Sequence, residues 1–216
     1  GAVDFVDGQA IARVFDNGGA GYTYGMDLLL RKEPTPDSFW YGWIAYTLSR
    51  SVRQDTLEFG SFFNDGGGDN LGLTDQDPIR QEYLSPFDQT HILTIIAQFE
   101  LPYEFEIGGR FRLVSGNPFT PLDQAEPFYD ADANGFVANT SGVDLNSDRV
   151  PAFHQLDIRI DRTWVFDVWK LTAYLEVLNV YNQRNVEANH YDFRFDERVE
   201  VSFLPIVPVI GVKGEY

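Results

Sequence analysis

The stretch DADANG, residues 130 to 135, carries the side chains best placed for chemistry. Asp130, Asp132 and Asn134 alternate and Gly135 follows, which is how a calcium loop of EF-hand type opens. Oxygens at that spacing can converge on one hard cation, and glycine permits the sharp turn. The twelfth position is Ser141, where such a loop supplies a bidentate glutamate. Asp144 or Asp148 would replace it only in a loop of another shape. The same residues also build ordinary Asx-rich turns. Bound Ca2+ and a plain turn therefore both stand at this point.

The other reactive groups do not assemble. His91, His154 and His190 fall on different segments without metal-ligand spacing, and there is no cysteine. No glycine-rich phosphate loop stands between a strand and a helix. Acids are plentiful, yet no acid, base and nucleophile fall into assignable roles. The expectation is that the chain is not an enzyme. With 33 acidic residues against 16 basic ones, the net charge is −17, which argues against a nucleic-acid partner. No apolar run of about 18 residues exists, so a membrane-spanning helix is not expected. The N-terminus, GAVDFVDGQA, lacks the basic start and apolar core of a signal peptide. A mature chain, or one cut from a longer precursor, is expected.

The elements that carry these residues are strands. HILTIIAQFEL places His91, Leu93, Ile95, Ala97, Phe99 and Leu101 on one face. EFEIGGRFRL sets Phe105, Ile107, Phe111 and Leu113 against Glu104, Glu106, Arg110 and Arg112. LDIRIDRTW sets Leu156, Ile158, Ile160 and Trp164 against Asp157, Arg159 and Asp161. Period 2 predicts eight strands, near 8–16, 20–33, 37–51, 88–101, 104–117, 151–165, 169–195 and 205–216. Connections at 34–36, 102–103 and 166–168 are tight, whereas 52–87 and 118–150 are long and 196–204 is intermediate.

Short turns at one end and long loops at the other are the asymmetry of an antiparallel transmembrane β-barrel. A soluble sandwich alternates in the same way, but its strands run to about 5–6 residues. Trp40, Trp43, Trp164 and Trp169 also collect at the short-turn end, as rings at a membrane boundary do. In a barrel the Leu, Ile and Phe faces meet lipid. Arg110, Arg112, Asp157, Arg159, Asp161 and Glu176 face the lumen. The two long loops hold 13 of the acidic residues and 3 of the basic ones. That charge reads as solvated surface, or as attraction for a cationic ligand.

FWYGWIAYTLSRS (39–51), FDQTHILT (87–94), GGRFRLVSGNPFTPL (108–122) and RVPAFHQLDIRIDR (149–162) resemble the C-terminal barrel of TonB-dependent outer-membrane receptors. YLEVLNVYNQRNV (174–186), LPIVPVIGVKGEY (204–216) and NGGAGYTYGMDLLLRK (17–32) are similar to it in the same order. The resemblance implies a 22-stranded barrel of which these strands, over 1–216, form the last third. It implies a plug domain and a TonB-pairing segment outside this sequence. The chain is then a fragment of a receptor, or a separate portion completing a barrel with another chain. An independent eight-stranded barrel is the alternative, since eight strands enclose a space that side chains fill. As a surface module, such a barrel would anchor acidic partner-binding loops. The resemblance also implies a periplasmic C-terminus and extracellular loops at 52–87 and 118–150. Outer-membrane lipid, the plug, the TonB complex and the barrel assembly machinery are the implied partners. The terminal Tyr216 resembles the signal that this machinery reads. The pattern departs at Gly214, where a large apolar residue is usual. NVYNQRNV (179–186) breaks the alternation with three asparagines, which predicts a bulge or a strand leaving the membrane.

Overall fold

In the computed structural model, residues 3–6, 9–12, 20–57, 79–122, 126–131, 134–139, 144–195 and 197–216 are described. The strands are β1 Val3–Val6, β2 Gln9–Ala12, β3 Ala20–Lys32, β4 Trp40–Leu57, β5 Ile79–Leu84, β6 His91–Leu101, β7 Phe105–Val114 and β8 Pro118–Phe119. They continue as β9 Glu126–Asp130, β10 Gly135–Asn139, β11 Asp148–Arg149, β12 Phe153–Val165, β13 Lys170–Leu178, β14 Val186–Tyr191, β15 Arg198–Ser202 and β16 Val207–Glu215. Every pairing is antiparallel. The protein is all-β, with a short 3-10 turn at Pro102–Glu104.

Alternation along each strand becomes two unlike faces of one sheet. Seven strands form a meander in the order β3–β4–β6–β7–β12–β13–β16. Its register sets Arg110 opposite Asp157, and Arg159 opposite Glu176, on the polar face. On the other face Phe99, Ile107, Ile160, Leu175 and Ile210 lie side by side across five strands. Apolar residues of that face are broadly exposed: Leu30, Ile44, Phe99, Ile160, Leu175 and Ile210 all stand open. Described strands make extensive contact only with hydrogen-bonded neighbours, apart from β12 with the 102–104 turn. No second layer covers the sheet among the described residues, so they are not arranged as a sandwich.

The sheet is also open. β3 and β16 are its two edges and do not pair with each other. The described strands thus form an antiparallel sheet and not a closed barrel. Buried apolar side chains among the described residues are Val52, Val114, Pro118, Pro121 and Val186. Buried polar ones are Ser85, Asp88, Asp157, Asn179 and Asn185. The buried set is small and as polar as it is apolar, unlike the usual interior of a soluble domain.

Several boundaries differ from the period-2 reading. The strand expected over 169–195 is two strands, β13 and β14. Asn179 and Asn182 adopt left-handed backbone (φ 55 and 51), which asparagine tolerates better than most residues. The Asn179 side chain then accepts from Gln183 N–H at 2.8 Å and donates to Gln183 O at 2.9 Å. The chain turns aside there, and β14 pairs with β15 in a separate hairpin. The loops expected at 52–87, 118–150 and 196–204 contain the end of β4, β5, β8 to β11 and β15. β5 pairs with residues 52–57 of β4, beyond the part that β6 occupies, so β5 and β6 are one interrupted strand. The strand expected at 8–16 contributes only β2, which pairs with β1. Residues 8 and 13–16 lie outside the described residues.

The short turns gather at one end, as expected. There Phe166 stacks on Trp169 at 4.5 Å between centroids, and Lys32 Nζ sits 4.4 Å over the Trp40 ring. β16 also ends at this side, with Glu215 opposite Lys170.

Candidate functional site

The opposite end of the sheet is where strands break. The interruptions at 85–90, 115–117, 150–152, 179–185 and 203–206 lie side by side. Ser115 N–H donates to His91 O at 2.9 Å, Val150 N–H to Asn117 O at 3.1 Å, and Phe203 N–H to Asn185 O at 2.8 Å. Backbone groups freed from the ladder need partners, and polar side chains supply them.

Arg149 does most of this on one side. Its Nη1 donates to Gly116 O at 2.9 Å and to Asp88 O at 3.0 Å. Its Nη2 donates to the Asp88 carboxylate and to Thr90 Oγ1, the latter at 3.1 Å. Asp88 also accepts from Ser51 N–H at 2.6 Å and from Thr90 Oγ1 at 2.9 Å. This one ion pair thereby links β4, the 85–90 connection, the residues just after β7 and β11. Asp88 is 1% exposed. Burial alone would push its carboxyl up. The hydrogen bonds from Arg149, Ser51 and Thr90, with the Arg149 charge, outweigh that and hold it below the usual carboxylate range. Such close packing depends on Gly116, because a Cβ there would lie 1.6 Å from Val150 O.

Asn185 serves the other side, accepting from His154 N–H and donating to His154 O, both at 3.0 Å. Asn179 N–H donates to Asp157 Oδ1 at 3.0 Å. Asp157 is the junction to the polar face. It accepts from Arg110 Nη2 at 2.7 Å, Arg110 Nε at 3.0 Å and Gln155 Nε2 at 2.6 Å. Beside it, Arg159 forks onto Asp161 at 2.6 to 3.0 Å and stacks 3.9 Å over the Tyr174 ring. That ring lies against Gly211, where a Cβ would come within 2.3 Å of it.

Between the breaks and the polar face lies a groove of about 460 Å3. Gln89, Arg112, Asn117, Gln155, Glu187 and Phe203 are among its walls. Arg112 rests 5.3 Å over the Phe153 ring. The groove offers hydrogen bonding and one cation to a polar occupant. It contains no nucleophile–base pair.

All six residues expected on the lumen side share the polar face. Arg110 with Asp157 and Arg159 with Asp161 are brought together as ion pairs. Asp88, Arg149, Asn179 and Asn185 were not singled out as a set by sequence, because each supports a different strand. The histidines stay apart: His91 Nδ1 meets Tyr46 OH, and His154 Nδ1 meets Tyr181 OH, each at 2.8 Å.

Of the proposed calcium ligands, Asp132 and the side chain of Asp130 lie outside the described residues. β9 and β10 pair as a hairpin with Gly135 opposite Asp130. Asn134 has φ 50, and its Oδ1 accepts from Tyr129 OH at 2.7 Å. A hairpin carrying a left-handed asparagine is the geometry of an ordinary Asx-rich turn. Titrating calcium to millimolar levels into the folded protein is expected to give no heat of binding. A one-site isotherm would restore the cation site.

Compared with protein-family models, with curated proteins and with solved structures, the chain matches none.

Proposed function

We propose that this chain is a β-barrel segment of an outer-membrane receptor of the TonB-dependent type, contributing to energised uptake of a ligand. The observation that carries the membrane part is the bare apolar face across seven strands. Monomeric soluble proteins rarely expose contiguous apolar patches beyond a few hundred Å2. Strands β3, β6, β7, β12, β13 and β16 have 9 to 13 residues. A tilted membrane-spanning strand needs about 9–11. Strands survive in hydrocarbon only in a closed sheet, so the free edges of β3 and β16 favour a segment of a larger barrel over an independent small one. The receptor type rests on the resemblance of the ordered motifs.

On this reading the C-terminus and short turns face the periplasm, and the strand breaks face outward. Arg110, Arg112, Asp157, Arg159, Asp161 and Glu176 face the lumen, where a plug and a polar ligand would meet them. Further strands, the plug and, through it, the TonB complex are the partners. The test is the mass and composition of the native complex isolated from outer membranes. Additional barrel strands and a plug, in this polypeptide or a bound one, are expected. A stable monomer of 24.6 kDa would contradict the proposal.

Tyr216 is fully exposed beyond the end of β16. Deleting it is expected to reduce the amount of protein reaching the outer membrane, read by fractionation and heat-modifiable gel mobility. Normal assembly of the truncated chain would remove its role as an assembly signal.

A further inference from the structure

Arg162 breaks the pattern of the apolar face. Register places it opposite Phe105 on one side and Ala173 on the other. Extending that row gives Leu101, Phe105, Arg162, Ala173 and Val212, in which Arg162 is the one polar member. The next row inward, from Phe99 to Ile210, is apolar throughout. Toward the short turns the next position on β12 is Trp164. The Arg162 side chain is exposed. Its guanidinium carbon lies 4.9 Å from the centroids of both Phe105 and Trp164.

Arg110 and Arg159, on the polar face, each hold a carboxylate. Among the described residues no carboxylate is within ion-pair distance of Arg162. An unpaired cation on a lipid-facing strand is costly at the bilayer midplane and much less so near the boundary. Arg162 stands one same-face position inside Trp164 on β12, toward the short-turn end, where the phosphates of a leaflet begin. A guanidinium presents a rigid planar fork that matches a phosphate with two parallel hydrogen bonds. The flanking rings hold that fork by cation–π attraction while leaving its N–H edge free.

We propose that Arg162, set between Phe105 and Trp164, binds the phosphate of an anionic phospholipid in the leaflet at the short-turn end. This rests on the membrane reading above. The acyl chains of that lipid lie along the apolar face toward Ile160 and Leu175, so charge and apolar surface are matched by one molecule.

Native mass spectrometry of the delipidated protein complex, titrated with phosphatidylglycerol in detergent, tests it. Wild type is expected to retain one more phosphatidylglycerol than R162Q, with apparent affinity for it about tenfold higher, a factor worth about 1.4 kcal/mol. R162K, which keeps the charge but not the fork, is expected to fall between them. Equal retention by wild type and R162Q overturns the site. Should R162Q fail to assemble, R162K retaining lipid as well as wild type does would overturn it instead. Displacement of the bound lipid by millimolar inorganic phosphate would overturn the assignment to a lipid. Wild type that takes up no phospholipid and does not enter vesicles contradicts the membrane reading itself. Vesicle insertion with no difference between variants contradicts the site alone.

Discussion

Arg149→Ala is expected to destabilise the assembled protein by about 3 kcal/mol, the cost typical of leaving one member of a buried ion pair alone. The loss concentrates on Asp88, whose carboxylate stays buried beneath Ser51 and Thr90 with its main cation gone. Gly116 O and Asp88 O lose a donor at the same time. Urea unfolding of the protein in detergent, followed by tryptophan emission, measures the change. The double variant D88N/R149M removes both charges and is expected to recover part of the loss. An unfolding midpoint equal to wild type for Arg149→Ala would show that the link carries no stability.

The same pair sets a pH dependence. The native Asp88 value is lowered, so the unfolded chain takes up this proton at higher pH than the folded one. Its contribution is therefore complete above the ordinary carboxylate value, near pH 4. It is lost as pH falls through the lowered native value. Wild type is expected to lose stability below about pH 4, and Asp88→Asn to lose less over that range. Parallel pH profiles for the two proteins would contradict this.

Gly116→Val is expected to be comparably damaging, by about 3 kcal/mol, the upper part of the overpacking range. The clash is with backbone, the carbonyl oxygen of Val150 at 1.6 Å from an added Cβ, so no side chain can yield. Relief requires β7 and β12 to separate where they bend, which also moves Gly116 O away from Arg149. Heat-modifiable gel mobility and urea midpoint are both expected to fall. A variant with wild-type values would mean that the break can open at little cost.

Much of the sheet was legible because period 2 is a direct consequence of strand geometry. Leu156, Ile158 and Ile160 against Asp157, Arg159 and Asp161 leave no other regular reading. The six polar-face residues followed from the same alternation, but their pairing did not. That Arg110 meets Asp157 depends on the β7–β12 register, which no local pattern specifies. The single strand expected over 169–195 failed for a different reason. The asparagines of NVYNQRNV marked the break, but that Asn179 and Asn182 turn the chain out of the sheet into a separate β14–β15 hairpin, instead of bulging one strand, rests on local backbone geometry that alternation does not encode. Short β5, with the sequence IRQEYL, is too charged and irregular to stand out inside a long loop. The Asp88–Arg149 link joins residues 61 apart. Both lay within the segments FDQTHILT and RVPAF that carried the family resemblance, so their location was marked while their partnership was not. Alternation in LDIRIDRTW already puts Arg162 on the side of Leu156, Ile158, Ile160 and Trp164, whereas its neighbours Phe105 and Ala173 follow only from register.

On the proposed reading, one face of this sheet lies against lipid. The chain has no cysteine, so single cysteines can be placed along β12 from 156 to 163 without background. Spin labels at these positions in the membrane-assembled protein, scanned for collision with oxygen and with a water-soluble nickel chelate, give the most direct measurement. Oxygen accessibility is expected to peak at 156, 158 and 160, and chelate accessibility at 157, 159 and 161. Equal chelate accessibility at both sets would contradict a lipid-facing sheet.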